Sequence, residues 1–278
     1  MLKMLKKTVI YYENATRNGC IFASFYYLLK KRIYMKYQGN KRRIVGEILP
    51  IMLENYSGKT FVDAFCGSCS VIEDVPTDYN RIANDKNKYL IAMWQSLTSG
   101  KNDFPTTITK EFYTDVKESF KNKTDKYTDD LKGWVGYMAS FNGKFFSGGY
   151  SGHHVMGKNG RARNYIDENI RNINRQISEH NLQGITWYAT DYFNIPLPEN
   201  SLIYCDIPYK NTTPYDFSKG FNYEAFYTWC RNMKEKGHTV FISEYECPDD
   251  FECIWEKELT NALNQQVTKK PIEKLFKV

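Results

Sequence analysis

Residues 60–70 read TFVDAFCGSCS. An apolar run enters a turn of cysteine, glycine and serine, and that succession predicts a buried strand over residues 60–65 followed by a tight backbone turn. Upstream, Ile44, Ile48, Leu49, Met52 and Leu53 fall at helical spacing and stop at Ser57 and Gly58. Downstream, residues 81–84 predict a second strand ending at Asp85, and Leu90, Met93, Trp94 and Leu97 resume a helical period. Such an order opens an α/β unit, whose ligands gather beyond the carboxyl ends of its strands. Asp63, Phe65 and Gly67 stand at such an end. A glycine there lets the backbone approach a ligand closely, and Asp85 stands where an acid takes ribose hydroxyls. The turn lacks the full G-x-G-x-x-G and the lysine of a P-loop, so it suits a nucleoside cofactor better than a triphosphate.

The α/β pattern returns after residue 184. Residues 185–188 predict a strand, and residues 202–205 form a short apolar strand that runs into Asp206-Ile207-Pro208-Tyr209. This tetrapeptide suits an exocyclic amine on a planar ring. The Asp206 carboxylate and the Ile207 carbonyl accept the amine's two hydrogen bonds, which leaves the nitrogen lone pair free to attack, while Tyr209 stacks on the ring. Pro208 keeps Ile207 out of the helical region and so sets the direction of its carbonyl. A helix over residues 224–236, a strand over residues 239–243 and two edge strands at residues 251–259 and 271–278 complete the expected framework. Between its halves, residues 100–184 hold polar helical stretches (110–121, 131–141 and 166–180) around a Gly-rich cationic run. This segment is expected to contribute little core and to form a mobile recognition insert.

The chain has 278 residues, 42% of them hydrophobic, enough for a sizeable core, and no apolar run approaches the ~18 residues of a membrane span. Its net charge of +6 is unevenly placed. Residues 1–34 carry seven cations against Glu13, so the rest of the chain is formally neutral, and residues 1–34 are expected to be a dispensable extension. Two acid-free stretches remain as sites for phosphate contacts: residues 36–43, and residues 141–164 with Lys144, Lys158, Arg161 and Arg163. Seven irregularly spaced cysteines argue against a secreted disulfide framework and for a cytoplasmic setting. Cys66 and Cys69 form a C-x-x-C, yet a thioredoxin-like domain would need neither this length nor the DIPY strand. His153 and His154 lack further ligands nearby, so no metal is expected and the pair reads as part of a phosphate-contacting loop.

The segments MKYQGNKRR, FVDAFCGSCSV, ANDKN, ASFNGKFF and YCDIPYKNTTPY, in that order, resemble the Dam-like family of DNA adenine N6-methyltransferases, over about residues 35–278. The resemblance implies a Rossmann-like α/β methyltransferase sheet that uses S-adenosylmethionine and carries an inserted, mostly helical DNA-recognition subdomain. Residues 35–99 and 185–278 would form the catalytic domain and residues 100–184 the insert. Tyr37 and Lys41 would contact the cofactor, Asp63, Phe65 and Gly67 would border its methionine part, Asp85 would bind its ribose, and Asp206 would touch both cofactor and target amine. Double-stranded DNA is the implied partner, and the protein is expected to act without metal or membrane, as a monomer or weak dimer. The family's D-P-P-Y reads D-I-P-Y here, its acid-Pro-Phe reads Asp63-Ala64-Phe65, and Cys69 replaces a common glycine. A methyltransferase acting on RNA or a protein amide, and a DNA-binding relative without activity, are the rival readings.

Overall fold

The computed structural model describes residues 35–156, 160, 162–210, 220–258 and 272–278. Residues 1–34 therefore lie outside the description, as do Lys158 and Arg161. The frame is a seven-stranded sheet. In chain order its strands are β1 (Thr60–Asp63), β2 (Asn80–Asn84), β5 (Ile185–Tyr188), β6 (Ser201–Asp206), β7 (Thr239–Glu244), β8 (Glu252–Glu258) and β9 (Ile272–Lys277). They lie side by side as β5-β2-β1-β6-β7-β9-β8. β1, β2, β5, β6 and β7 run parallel, and β9 lies antiparallel to both of its neighbours. This is the Rossmann-like arrangement implied by the sequence. β9 departs from its expected place at an edge: of the two C-terminal strands β8 alone is an edge, because Lys277 to Lys274 pair with β7 on one side and β8 on the other.

Strand residues alternate between two cores, as the period of two requires. Phe61, Ala83, Leu202, Tyr204 and Phe241 point to one face. Val62, Ile82, Ile203, Cys205, Val240 and Ile242 point to the other, where α6 (Tyr223–Glu235) supplies Phe226, Cys230 and Met233. Over the first face lie α1 (Val45–Leu53), with Val45, Ile48, Leu49 and Met52 inward, and α2 (Lys88–Thr98), with Leu90, Met93, Trp94 and Leu97 inward. Polar side chains start the helices: Asn87 Oδ1 accepts from the Tyr89 and Leu90 amides, and Asn222 Oδ1 accepts from the Ala225 amide.

Residues 100–184 contain α3 (Lys110–Lys121), α4 (Asp129–Met138), a small hairpin of β3 (Val155–Met156) with β4 (Ala162–Arg163), and α5 (Tyr165–Glu179). The expectation of a core-poor segment is corrected here. Phe104, Tyr113, Trp134, Phe145, Phe146 and Ile170 are buried in the same cluster as the sheet's first face. The Phe145 ring lies 5.8 Å from Tyr89, 5.1 Å from Phe120, 5.1 Å from Tyr137 and 4.6 Å from Phe146. Aromatic side chains, each able to bury a large area, replace the aliphatic runs that signal a core in sequence.

Phe145→Ala should therefore lower stability by about 3–5 kcal/mol in urea unfolding, with a single transition. A loss under ~1 kcal/mol, or a second transition for the sheet, would show that the segment packs apart from it.

Candidate active site

The sheet's connections diverge between β1 and β6: β1 leads to β2 on one side, and β6 leads to β7 on the other. A crevice forms beyond the carboxyl ends at such a point. The cavity found there has a volume of about 970 Å³. Tyr37 and Lys41 line it from the segment before α1, and Phe65 and Gly67 line it from the turn after β1. Asp85 after β2, and Asp206, Ile207, Pro208 and Tyr209 at the end of β6, complete this half of the wall. Thus residues far apart in sequence meet where the strand ends require. Asp63 is different. It is 2% exposed and lies outside the lining, with Oδ1 buried and without a hydrogen-bond partner.

The turn after β1 is held from several sides. The Asn84 side chain donates to Ala64 O (3.0 Å) and Thr190 O (3.1 Å) and accepts from the Thr190 amide (3.1 Å), so one buried amide joins three strand ends. Gln176 of α5 donates to Ser68 O (2.8 Å) and Glu73 Oε2 (2.7 Å) and accepts from the Met35 amide (2.9 Å). Gly67 adopts φ +47°, and a Cβ there would lie 2.8 Å from the Tyr37 ring. Its amide donates to Asp85 Oδ2 (3.2 Å), and its carbonyl accepts from Trp94 Nε1 (3.0 Å). Cys69 takes φ +61°, a conformation that favours glycine, and its amide donates to Cys66 O (2.7 Å). Cys69 therefore follows the left-handed path expected of a glycine, at a strain of ~1–2 kcal/mol. Burial pushes the thiols of both Cys66 and Cys69 up, the opposite of what thiolate redox chemistry needs.

Carboxylates dominate the electrostatics. Lys41 Nζ lies 2.7 Å from Asp206 Oδ1 and 4.6 Å from the centre of the Tyr209 ring. Burial raises the Asp206 pKa to about 6 against the opposing pull of Lys41. Burial would favour a neutral Lys41, but Asp206 and Glu273 outweigh it and hold the ammonium charged. Burial also raises Asp85 to about 6, opposed by the amides of Asn87 and Gly67, and Glu244 to about 7, opposed by the amides of Tyr245 and Lys210. Asp63 is pushed well above the carboxylate range by burial and by the Asp206 charge. Because these folded pKa values exceed the unfolded ones, the protonated forms favour folding. That contribution is complete below the ordinary carboxylate range and is lost as pH rises through about 6 to about 7. Asp85 and Asp206, ionised above that range, are thus kept in the crevice at the expense of stability.

Sequence reading missed much of the opposite wall. Asp191, Tyr192 and Phe193 line the cavity after β5, with Phe193 57% exposed and Tyr192 packed 5.8 Å from Phe65 and 5.0 Å from Trp229. Glu273 on β9 accepts from the Tyr209 hydroxyl, and Glu244 at the end of β7 accepts from the amides of Lys210 (3.0 Å) and Tyr245 (2.7 Å). The only signal for Asp191 was its position after a strand; Glu244 and Glu273 acquire meaning through tertiary proximity alone.

Of the cationic residues, Lys144 is exposed on the loop after Gly143, where a Cβ would come within 1.9 Å of Lys36 O. The loop is thereby docked against the segment that carries Tyr37. Arg163 is paired in bidentate fashion with Glu168 (3.0 and 2.7 Å), which also lies 3.5 Å from Lys36. His153 bridges the Ile108 backbone (3.1 Å) and Asn164 Oδ1 (3.1 Å), so it is a structural tie between a loop and the start of α5.

Gly67→Ala would force a methyl group into the Tyr37 ring from a left-handed backbone. Affinity for a nucleoside ligand of this cavity, S-adenosylmethionine being the probe, should fall by at least about tenfold in calorimetry. Undiminished affinity would separate the turn from the ligand.

A family model for D12 class N6 adenine-specific DNA methyltransferases matches residues 37–270, a span that runs from Tyr37 through β8. No curated protein matches the chain. With that match covering most of its length, and with the strand ends, turn and DIPY segment meeting in one cavity, the chain belongs to the D12 class of N6 adenine-specific DNA methyltransferases.

Proposed function

We propose that this enzyme methylates N6 of adenine in duplex DNA with S-adenosylmethionine as donor, and that residues 100–184 read the target. The observation that carries this reading is that Asp206-Ile207-Pro208-Tyr209 and the Gly67–Asp85 turn border one cavity. The residues present fit the cofactor. Gly67 leaves room that a Cβ would fill, the Asp85 carboxylate suits ribose hydroxyls, and the exposed Phe193 ring suits a purine face. Phe65 and Tyr37 would border the rest, with Asp63 supporting the turn from below. When bound, S-adenosylmethionine supplies an electrophilic methyl group.

The chain's own residues do the rest. Asp206 and the Ile207 carbonyl accept the hydrogen bonds of the target amine and leave its lone pair directed away from them. Ile207 is 2% exposed with its side chain in the core, so its backbone is the part suited to this task. Tyr209 stacks on the base, and its hydroxyl is tied to Glu273. Tyr223 donates to Pro208 O (2.8 Å), which steadies the segment. The amine proton leaves after transfer, so no base is needed beforehand. Bringing adenine out of a duplex costs a few kcal/mol, which ring contacts and phosphate contacts must offset. Lys144 and Arg163 would supply phosphate contacts, with Lys158 and Arg161 belonging to the same cationic run; Arg163 would exchange Glu168 for phosphate.

Wild-type enzyme should transfer tritium from labelled S-adenosylmethionine to adenine-unmethylated duplex DNA, and Asp206→Ala should abolish transfer while DNA binding persists. Label entering RNA or protein instead, or turnover retained by the variant, would overturn the reading. Lys144→Ala should lower the slope of log affinity against log salt by about 0.9, the value for one phosphate contact. An unchanged slope would remove Lys144 from the interface.

A further inference from the structure

The geometry points to Lys41 as a stand-in for the target amine: its ammonium fills the slot between Asp206 and Tyr209 in the free enzyme and leaves it when adenine N6 enters. The inference rests on adenine methylation as the reaction and adds a residue that the substrate must displace. Lys41 Nζ makes, on its own, two of the three contacts assigned to the base: a hydrogen-bonded ion pair with Asp206 Oδ1 at 2.7 Å and an approach to the Tyr209 ring at 4.6 Å. It also donates to Gly39 O at 3.2 Å. An ammonium and an exocyclic amine both offer N–H donors, so one acceptor and one ring face serve either in turn.

Both cannot be served together. Methyl transfer builds positive charge on N6, and a second positive charge some ångströms away in a buried site opposes it. The Lys41 backbone is fixed: its amide donates to Ser70 Oγ (3.0 Å), and its carbonyl accepts from the amides of Ile44 and Val45 (both 2.9 Å). Only the flexible four-carbon stem is left to move. A displaced ammonium keeps a counter-charge, because Glu273 acts on Lys41 alongside Asp206. The other titratable groups facing Asp206 are Glu273 on β9, Glu244 and Tyr245 at the end of β7, Asp63 at the end of β1, and Tyr204, Cys205 and Tyr209 on its own strand and segment.

The test compares wild type, Lys41→Met and Lys41→Gln in a pH series with adenine-unmethylated genomic DNA and saturating labelled S-adenosylmethionine. The acid limb of kcat/KM reports Asp206 in the free enzyme, and that of kcat reports it in the complex. Removing the ammonium should move the kcat/KM limb upward by about one unit or more. The kcat limb should stay where wild type has it, because Lys41 has already left in the complex. If both limbs move, Lys41 stays on Asp206 through turnover and the inference fails; it fails equally if neither moves. Calorimetry with S-adenosylmethionine runs beside this, and loss of cofactor affinity in both folded variants would assign Lys41 to the cofactor instead. If neither variant folds, the Lys41 ammonium resonance of lysine-labelled wild type must shift when duplex and cofactor are added; an unmoved signal overturns the inference. Absence of transfer by wild type would refute the functional reading itself, an outcome separable from all of these.

Discussion

Keeping carboxyl groups at the ends of buried strands is the constraint around which this crevice is organised. Asp63, Asp85, Asp206 and Glu244 all sit at or next to the carboxyl ends of parallel strands, and burial lifts every one of them above the ordinary range. Three of them are then offset differently: Asp85 by two backbone amides, Glu244 by two others, Asp206 by a lysine ammonium. The surroundings follow from these debts of solvation. The amides must be presented by tight turns, which explains Gly67 and Asn87, and the ammonium must be carried on an anchored segment, which explains the docking of residues 36–41 against the turn after β1.

The Gln176 and Asn84 networks extend the same logic. A turn that must hold a fixed shape without side-chain bulk of its own is braced from outside by buried amides, and Gln176 ties it to the helix that ends the middle segment. The middle segment is therefore mechanically continuous with the turn. The Gly143 contact with Lys36 supplies a second link, from the cationic loop to the segment that carries Tyr37.

What could be read from sequence was what is local. The strand over residues 60–65, its Gly67 turn and the DIPY segment each declare their chemistry within a few residues, and β1, β2, β5, β6 and β7 alternate or run apolar as buried strands do. The hairpin of β3 and β4 gave no signal because it is two residues on each side and exposed. The core of the middle segment was hidden because its aromatic residues are scattered singly among polar ones. Phe104, Trp134 and Phe145 converge only after the helices fold back. Glu244 and Glu273 carry no motif; strand pairing alone brings them to Tyr209 and Lys210.

The placement of β9 bears on synthesis. Glu273, the partner of the Tyr209 hydroxyl, belongs to a strand that enters the sheet between two strands made before it. While the ribosome is still short of residue 272, β7 exposes an unpaired edge and the aromatic ring of the DIPY segment lacks its anchor. The parallel half of the sheet can form in order as the chain emerges, but the crevice acquires the wall that carries Glu273 only when β9 inserts, so the site is assembled after the parallel strands that frame it.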